Sequence, residues 1–305
     1  MRVLLAVDGS PSSDAACQLV ASISWPEGSV IQIVGVVPGA SDEQAPSDGS
    51  ATATKSIGGR SETLARVLDG AVASLQKPTL IVRKTILAGR PGTLIVDAAV
   101  RCRAELLVVG SRGLGPLKAM LLGSVSAEVV DHASCPVLVV RGPTIGHILL
   151  AVDGSASATA AVAFLSGVGF MARDAVEVLT VVAAEPVLPP LPPESASRGR
   201  AAATAAAAAE SLRSSGVPAR WSISKGNPAH EIIEAARTDG SDLIVLGSRG
   251  HTGLTRIVLG SVARNVLLHS DVSVLIVHEP LRARSAERVD ESKLYAFGEA
   301  GIAFA

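Results

Sequence analysis

The chain has 305 residues, of which 48% are hydrophobic, 18% charged and 2% aromatic, with a formal net charge of -1. That length suggests about two domains with ample apolar material for buried cores. The near-neutral charge, the lack of a long basic run and the scarcity of stacking rings argue against nucleic acid as the main partner.

The first apolar run, 3–7, stops at Asp8. It is too short for a signal-peptide core or a membrane span, so a cytoplasmic protein without membrane contact is expected. The run reads as a strand, and Asp8-Gly9-Ser10-Pro11 reads as the turn into a helix, with Ser10 capping and Pro11 in the first turn. Further runs of strand length fall at 30–37, 79–87, 105–109 and 136–140, with helical stretches near 12–24, 60–76, 92–102 and 123–133. Cys17, Cys102 and Cys135 are scattered, form no CxxC pair and read as small buried hydrophobes in a reduced compartment. No residues have metal-ligand spacing.

The pattern then repeats. Val3-Leu-Leu-Ala-Val-Asp8-Gly9-Ser10 recurs as Ile148-Leu-Leu-Ala-Val-Asp153-Gly154-Ser155, an offset of 145 residues. Gly110-Ser-Arg-Gly113 recurs as Gly247-Ser-Arg-Gly250, and Gly123-Ser124-Val125 as Gly260-Ser261-Val262, both at an offset of 137. The missing 8 residues fall after the second strand, in polar 38–60 of the first copy and Pro-rich 185–197 of the second. Loops absorb such changes cheaply. Second-copy strands are expected near 147–152, 175–182, 219–224, 242–246 and 273–277.

Strands alternating with helices, each strand a continuous apolar run, predict an α/β fold. It has two tandem doubly wound domains, each a five-stranded parallel sheet of order 3-2-1-4-5 with helices on both faces. The expected bounds are 1–142 and 145–280, with 281–305 outside the repeat. Ala201–Ala209 reads as solvent-side helix, and Pro189-Pro190-Leu191-Pro192-Pro193 as a stiff surface loop.

The strongest chemical signal is the spacing G-x2-G-x9-G-S, found at Gly110, Gly113, Gly123 and Ser124 and again at Gly247, Gly250, Gly260 and Ser261. Each begins at the end of a fourth strand, where open α/β sheets bind ligands, and ends where a helix begins. Glycines are expected there for positive φ and close backbone approach, and the helix N-terminus favours phosphate. A turn with a capping serine is the structural alternative, and two copies at one spacing favour phosphate binding. Asp8 and Asp153 end the first strand of each copy, where a carboxylate can accept hydrogen bonds from an adenine amino group or a ribose hydroxyl, or can close an Asx-turn. Gly89-Arg90-Pro91 and Gly226-Asn227-Pro228 carry a weaker ligand signal. Arg112 and Arg249 read equally as phosphate neighbours and as plain surface arginines. His132 and His269 read as helix-end dipole partners, and His251 lies inside the second glycine loop.

On Val7-Asp8-Gly9-Ser10, Gly110-Ser111-Arg112-Gly113, Gly123-Ser124-Val125-Ser126 and His132-Ala-Ser-Cys-Pro136, most of which recur in the second copy, the chain resembles the universal stress protein family in its tandem, ATP-binding form. The resemblance covers about residues 2–278. It implies that Asp8 contacts adenosine, that Val36 and Val37 line the base, and that Gly113, Gly123, Ser124 and Ser126 hold phosphates and ribose. Gly9, Ser10, Gly89, Gly110, Arg112 and Val125 complete the first candidate site. The second comprises Asp153, Gly154, Ser155, Val181, Val182 and Gly226, with Gly247, Arg249, Gly250, Gly260, Ser261 and Val262 from its glycine loop. Magnesium would enter only through ATP phosphates. Ala263 stands in the place of Ser126 and Ser273 in that of Pro136, so the second site is expected to be the weaker.

No Walker lysine, GxGxxG, Ser-His-Asp set or paired carboxylates accompany the loops. The expectation is therefore an ATP-binding regulatory, stress-response module rather than an enzyme. A slow ATPase and an interaction protein that binds no nucleotide stay open as alternatives. The fifth strands, Val137–Val140 and Val274–Val277, are apolar edges expected to pair with each other within the chain, as the family's fifth strands do. Homodimerisation through other surfaces stays open.

Overall fold

The computed structural model describes residues 1–38, 52–114, 122–168, 174–183, 194–250, 259–279 and 303–304. The chain forms two compact units, Met1–Pro143 together with Leu281–Ala305, and Thr144–Pro280.

The first unit runs β1 (Arg2–Ala6), α1 (Pro11–Ser22), β2 (Ser29–Val37), α2 (Thr52–Leu75), β3 (Leu80–Ala88), α3 (Pro91–Arg101), β4 (Leu106–Gly110), α4 (Ser124–His132) and β5 (Val137–Val140). The strands pair in parallel in the order β3-β2-β1-β4-β5. Leu4, Leu5, Ile31, Ile33, Leu106 and Leu107 are fully buried at its centre, as expected of strands covered on both faces. Two features depart from expectation. α2 starts at Thr52 rather than near 60, drawing in a polar segment with Gly58 and Gly59 that local propensity reads as loop. A sixth strand, β11 (Ala303–Phe304), joins the sheet from outside the repeat, pairing in parallel with Leu87 and Ala88 of β3.

The second unit repeats the plan with β6 (Ile148–Ala151), α5 (Ala156–Gly167), β7 (Val176–Ala183), α6 (Glu194–Ser214), β8 (Ala219–Gly226), α7 (Pro228–Thr238), β9 (Leu243–Gly247), α8 (Ser261–His269) and β10 (Ser273–Val277). Its order is β8-β7-β6-β9-β10, again parallel. The Pro189–Pro193 loop lies outside the described residues.

The alanine run is not a solvent face. Ala201, Ala205, Ala208, Ala209 and Leu212 of α6 are buried, a stripe at helical spacing turned to the sheet. High helix propensity says nothing about which face is covered, and alanine's small size lets the helix sit close. The equivalent positions explain the composition. A methyl group at Gly35 of β2 would lie 2.9 Å from side-chain atoms of both Leu64 and Leu68 on α2. In the second unit Thr180 takes the place of Gly35, while Ala201 and Ala205 take the places of Leu64 and Leu68. Bulk has moved in part from helix to strand, Thr180 offsetting some of the volume lost at Ala201 and Ala205.

Candidate functional site

Each unit brings its candidate residues to the carboxyl ends of the strands. In the first, β1 ends at Ala6, and the chain turns into α1 through Gly9 at φ +80. Asp8 Oδ1 accepts the Ser10 backbone N–H at 2.9 Å, closing an Asx-turn. Ser10 caps α1 by accepting the Ser13 N–H at 3.2 Å. It also donates its hydroxyl to the Arg112 carbonyl at 3.1 Å. The side chain of Ser10 is thus buried and engaged within the fold, tying the strand-one turn to the glycine loop. The second unit matches: Gly154 has φ +85, Asp153 Oδ1 accepts the Ser155 N–H at 2.9 Å, and Ser155 donates to the Arg249 carbonyl at 3.2 Å.

The glycine loops leave β4 and β9. Ser111 N–H donates to the Val140 carbonyl at 2.9 Å, and Gly123 N–H to the Ser111 carbonyl at 2.8 Å. Ser248 and Gly260 repeat these bonds at 2.9 and 2.7 Å. Gly123 and Gly260 are the N-caps of α4 and α8, and neither helix has a side-chain cap. By contrast Ser10, Ser155 and Asn227 cap α1, α5 and α7. Ser124 and Ser261 therefore sit exposed in the first turn rather than as caps. Val125 and Val262 are half-buried beside them, and the first-turn amides are left without intrahelical acceptors.

The glycines serve close approach, not positive φ. Among the described residues the glycines with φ between +20° and +160° include Gly9, Gly89, Gly154 and Gly226, but none of Gly110, Gly113, Gly123, Gly247, Gly250 or Gly260. A methyl group at Gly110 would lie 2.7 Å from the Ser12 carbonyl carbon, and one at Gly247 2.5 Å from Ser157 Oγ. These two glycines let the loop pass over the first turn of α1 and α5. A methyl group at Gly113 would lie 2.9 Å from Asp8 Oδ2, and one at Gly250 the same distance from Asp153 Oδ2. The second glycine thus faces the strand-one carboxylate in both units. Gly123 leaves room, with its nearest neighbours at 3.4 to 3.5 Å.

Ser126 is buried and donates its hydroxyl to the Gly110 carbonyl at 2.7 Å. Ala263 removes that tie in the second unit. Val36 and Val37 end β2, and Val181 and Val182 lie two and one residues from the end of β7. Gly89 and Gly226 make the turns into α3 and α7. Gly89 donates its N–H to the Val37 carbonyl at 2.9 Å. Arg112 is exposed and Arg249 half-buried. Nδ1 of His132 and His269 donates to the carbonyls of Glu128 and Asn265 at 2.8 and 2.9 Å, a helix-end role. His251 lies outside the described residues.

Among the described residues no group of three or more His, Cys, Asp or Glu side chains could hold a metal, and no helix is long and apolar enough to cross a membrane. Cys17, Cys102 and Cys135 form no disulfide. Burial pushes Cys17 up to about 11, with Asp14 adding to it, and Cys135 up to about 12, with Cys102 adding to it. Burial also raises Cys102.

The profile of the Universal stress protein family matches residues 1–141 and again 144–278. Over 195 residues the chain is 32% identical to a universal stress protein of Mycolicibacterium smegmatis, a match covering 60% of this chain and 64% of that protein. A Mycobacterium bovis universal stress protein is 30% identical over 214 residues, covering 66% of this chain and 70% of its own. The crystal structure of a universal stress protein from Archaeoglobus fulgidus superposes with a TM-score of 0.68 at 21% identity, covering 91% of this chain and 98% of that one, a likeness of fold.

Proposed function

Since the chain belongs to the universal stress protein family, with one family domain in each half, we propose that it is an ATP-binding regulatory module of the stress response with a nucleotide site in each unit. The observation that carries this reading is the pairing of Asp8 with Gly113 beside the uncapped start of α4, built a second time from Asp153, Gly250 and α8. A helix start without a side-chain cap leaves amide donors and the positive end of the dipole for an anion. The carboxylate oxygen turned toward the loop would take the ribose or adenine end, with Val36, Val37, Val181 and Val182 against the base. Gly113, Gly123, Ser124 and their counterparts would hold the phosphates, with magnesium bound through those phosphates.

Neither glycine loop carries a Walker-type lysine in its sequence, and we read bound ATP as acting by occupancy rather than turnover. We assign the activity to the cytoplasm, where the three cysteines, none of them in a disulfide, would stay reduced. We further propose that β5 and β10, each with one neighbour in its own unit, pair with each other within the chain. A tethered partner is held at high effective concentration. The double substitution Val139→Lys and Ile276→Lys should then raise protease cleavage at residues 141–145; unchanged protection would overturn the pairing.

The test of the main reading is calorimetric titration of the full chain with ATP at millimolar magnesium. A stoichiometry near two is expected, and no heat of binding at millimolar ATP would overturn it.

A further inference from the structure

The two glycine loops are the same length and share the three glycines of the G-x2-G-x9-G spacing, yet different hydroxyls hold them. In the first unit the loop is tied at both sides. Ser10 on the α1 side donates to the Arg112 carbonyl, and Ser126 in the first turn of α4 donates to the Gly110 carbonyl at 2.7 Å. In the second unit the α8 tie is gone, because Ala263 has no hydroxyl. There Ser157, in the first turn of α5, donates to the Arg249 carbonyl. The same oxygen accepts the Arg249 backbone N–H at 3.2 Å, and Ser155 adds its own bond to that carbonyl at 3.2 Å. The equivalent of Ser157 in the first unit is Ser12. Ser12 makes no hydrogen bond to the loop among the described residues, although its backbone lies directly under Gly110. Ser126 and Ser157 are both buried, where an unpaired hydroxyl is expensive, so each must have a partner.

We propose that Ser157 is the positioning residue of the second glycine loop, taking over the task of the hydroxyl lost at Ala263. Beyond the cap-serine bond that both loops share, the first is fastened to the helix that follows it and the second to the helix that follows Asp153. Ser157 Oγ holds both peptide groups that flank Arg249, the Ser248–Arg249 peptide through its N–H and the Arg249–Gly250 peptide through its carbonyl, which fixes the backbone just before Gly250. The loss of the Ser126 hydroxyl therefore does not weaken the second site, because that hydroxyl serves the loop and not the ligand. The consequence for nucleotide affinity rests on the ATP reading above; the positioning itself does not.

The experiment is backbone hydrogen exchange on the full nucleotide-free chain, followed by ATP titration. Ser157→Ala should speed exchange at Arg249 and Gly250 about tenfold, the size expected for losing a pair of hydrogen bonds, with β6 and β9 unaffected. Adding Ala263→Ser to that variant should restore protection in part, since it rebuilds the first unit's tie at the Gly247 carbonyl, two residues before Arg249, and re-anchors the loop. Ser12→Ala should leave Arg112 and Gly113 unchanged, whereas Ser126→Ala should loosen Gly110 and its neighbours. Should the second unit of Ser157→Ala fail to fold, Ser157→Cys keeps the volume while bonding poorly and gives the same contrast. In a Gly113→Ala background, second-site ATP affinity should fall about tenfold with Ser157→Ala and recover in part with Ala263→Ser. Unchanged exchange at Arg249 and Gly250, or failure of Ala263→Ser to restore any protection, would overturn the proposal. If exchange responds as described while the parent chain binds no ATP, the positioning role stands and the nucleotide reading falls.

Discussion

Oδ2 of Asp8 lies where a side chain on Gly113 would have to go, 2.9 Å from the position of its first carbon, and Asp153 stands in the same relation to Gly250. The strand-one acid and the loop glycine are thus one device in each unit. We expect Gly113→Ala to push the carboxylate aside and to lower ATP affinity at the first site about tenfold or more, a loss of about 1.4 kcal/mol. Gly113 is exposed and its φ is not positive, so melting temperature should barely change. Calorimetry paired with thermal melts checks this, and normal binding by Gly113→Ala would remove Asp8 from the site.

The exchange of bulk between Gly35 and Thr180 predicts a coupling. Gly35→Thr should overpack α2 against β2 and destabilise the first unit by about 1–3 kcal/mol. Leu68→Ala alone should leave a cavity costing about 2–5 kcal/mol. Together they imitate the Thr180–Ala205 arrangement, and the pair should cost less than the sum of the singles by about 0.5–3 kcal/mol. Urea unfolding of all four proteins measures the cycle, and simple additivity would contradict the packing described.

The cysteines set an alkaline limit. Cys17 is raised from 9.0 to about 11 and Cys135 from 9.0 to about 12, chiefly by burial. The folded chain therefore holds these protons where the unfolded chain has released them. Their contribution to stability is full below pH 9.0 and is lost as pH rises toward 11 and 12. We expect thiol reagents at pH 8 to leave Cys17 and Cys135 unmodified until denaturant is added. Rapid labelling of either in the native protein would contradict their burial.

Turnover should be negligible. In single-turnover experiments with radiolabelled ATP we expect phosphate release far below the roughly 10 s⁻¹ typical of enzymes. A rate near that value would convert the regulatory reading into a catalytic one.

β1, β4 and β5 and their counterparts were legible as apolar runs, whereas β3 and β8, which carry Arg83, Lys84, Arg220 and Ser222, were placed by the alternation and the repeat. What the sequence concealed depends on contacts between distant residues. The spacing of Gly110, Gly113 and Gly123 pointed to the loop, but not to why glycine is needed: the neighbours that demand it, Ser12 and Asp8, are some hundred positions away. Positive φ falls instead at Gly9 and Gly89, in turns that spacing alone does not mark. The alanine run announced a helix, but its reading as a solvent-side one is overturned, because propensity is a local property and burial of Ala205 is not. The Ser157–Arg249 contact spans 92 positions, and neither residue stands out when read alone.

The seating of β11 on β3 bears on how the chain is made. On the ribosome, β1 to β5 emerge in one stretch, and the first unit has every strand of its repeat before the second begins. The outer neighbour of Leu87 and Ala88 is translated only after all of the second unit. At roughly 5–20 residues per second, the nascent first unit carries a bare β3 edge for tens of seconds. During that interval its unpaired backbone groups are open to any other extended segment, including one from a neighbouring polysome-bound copy.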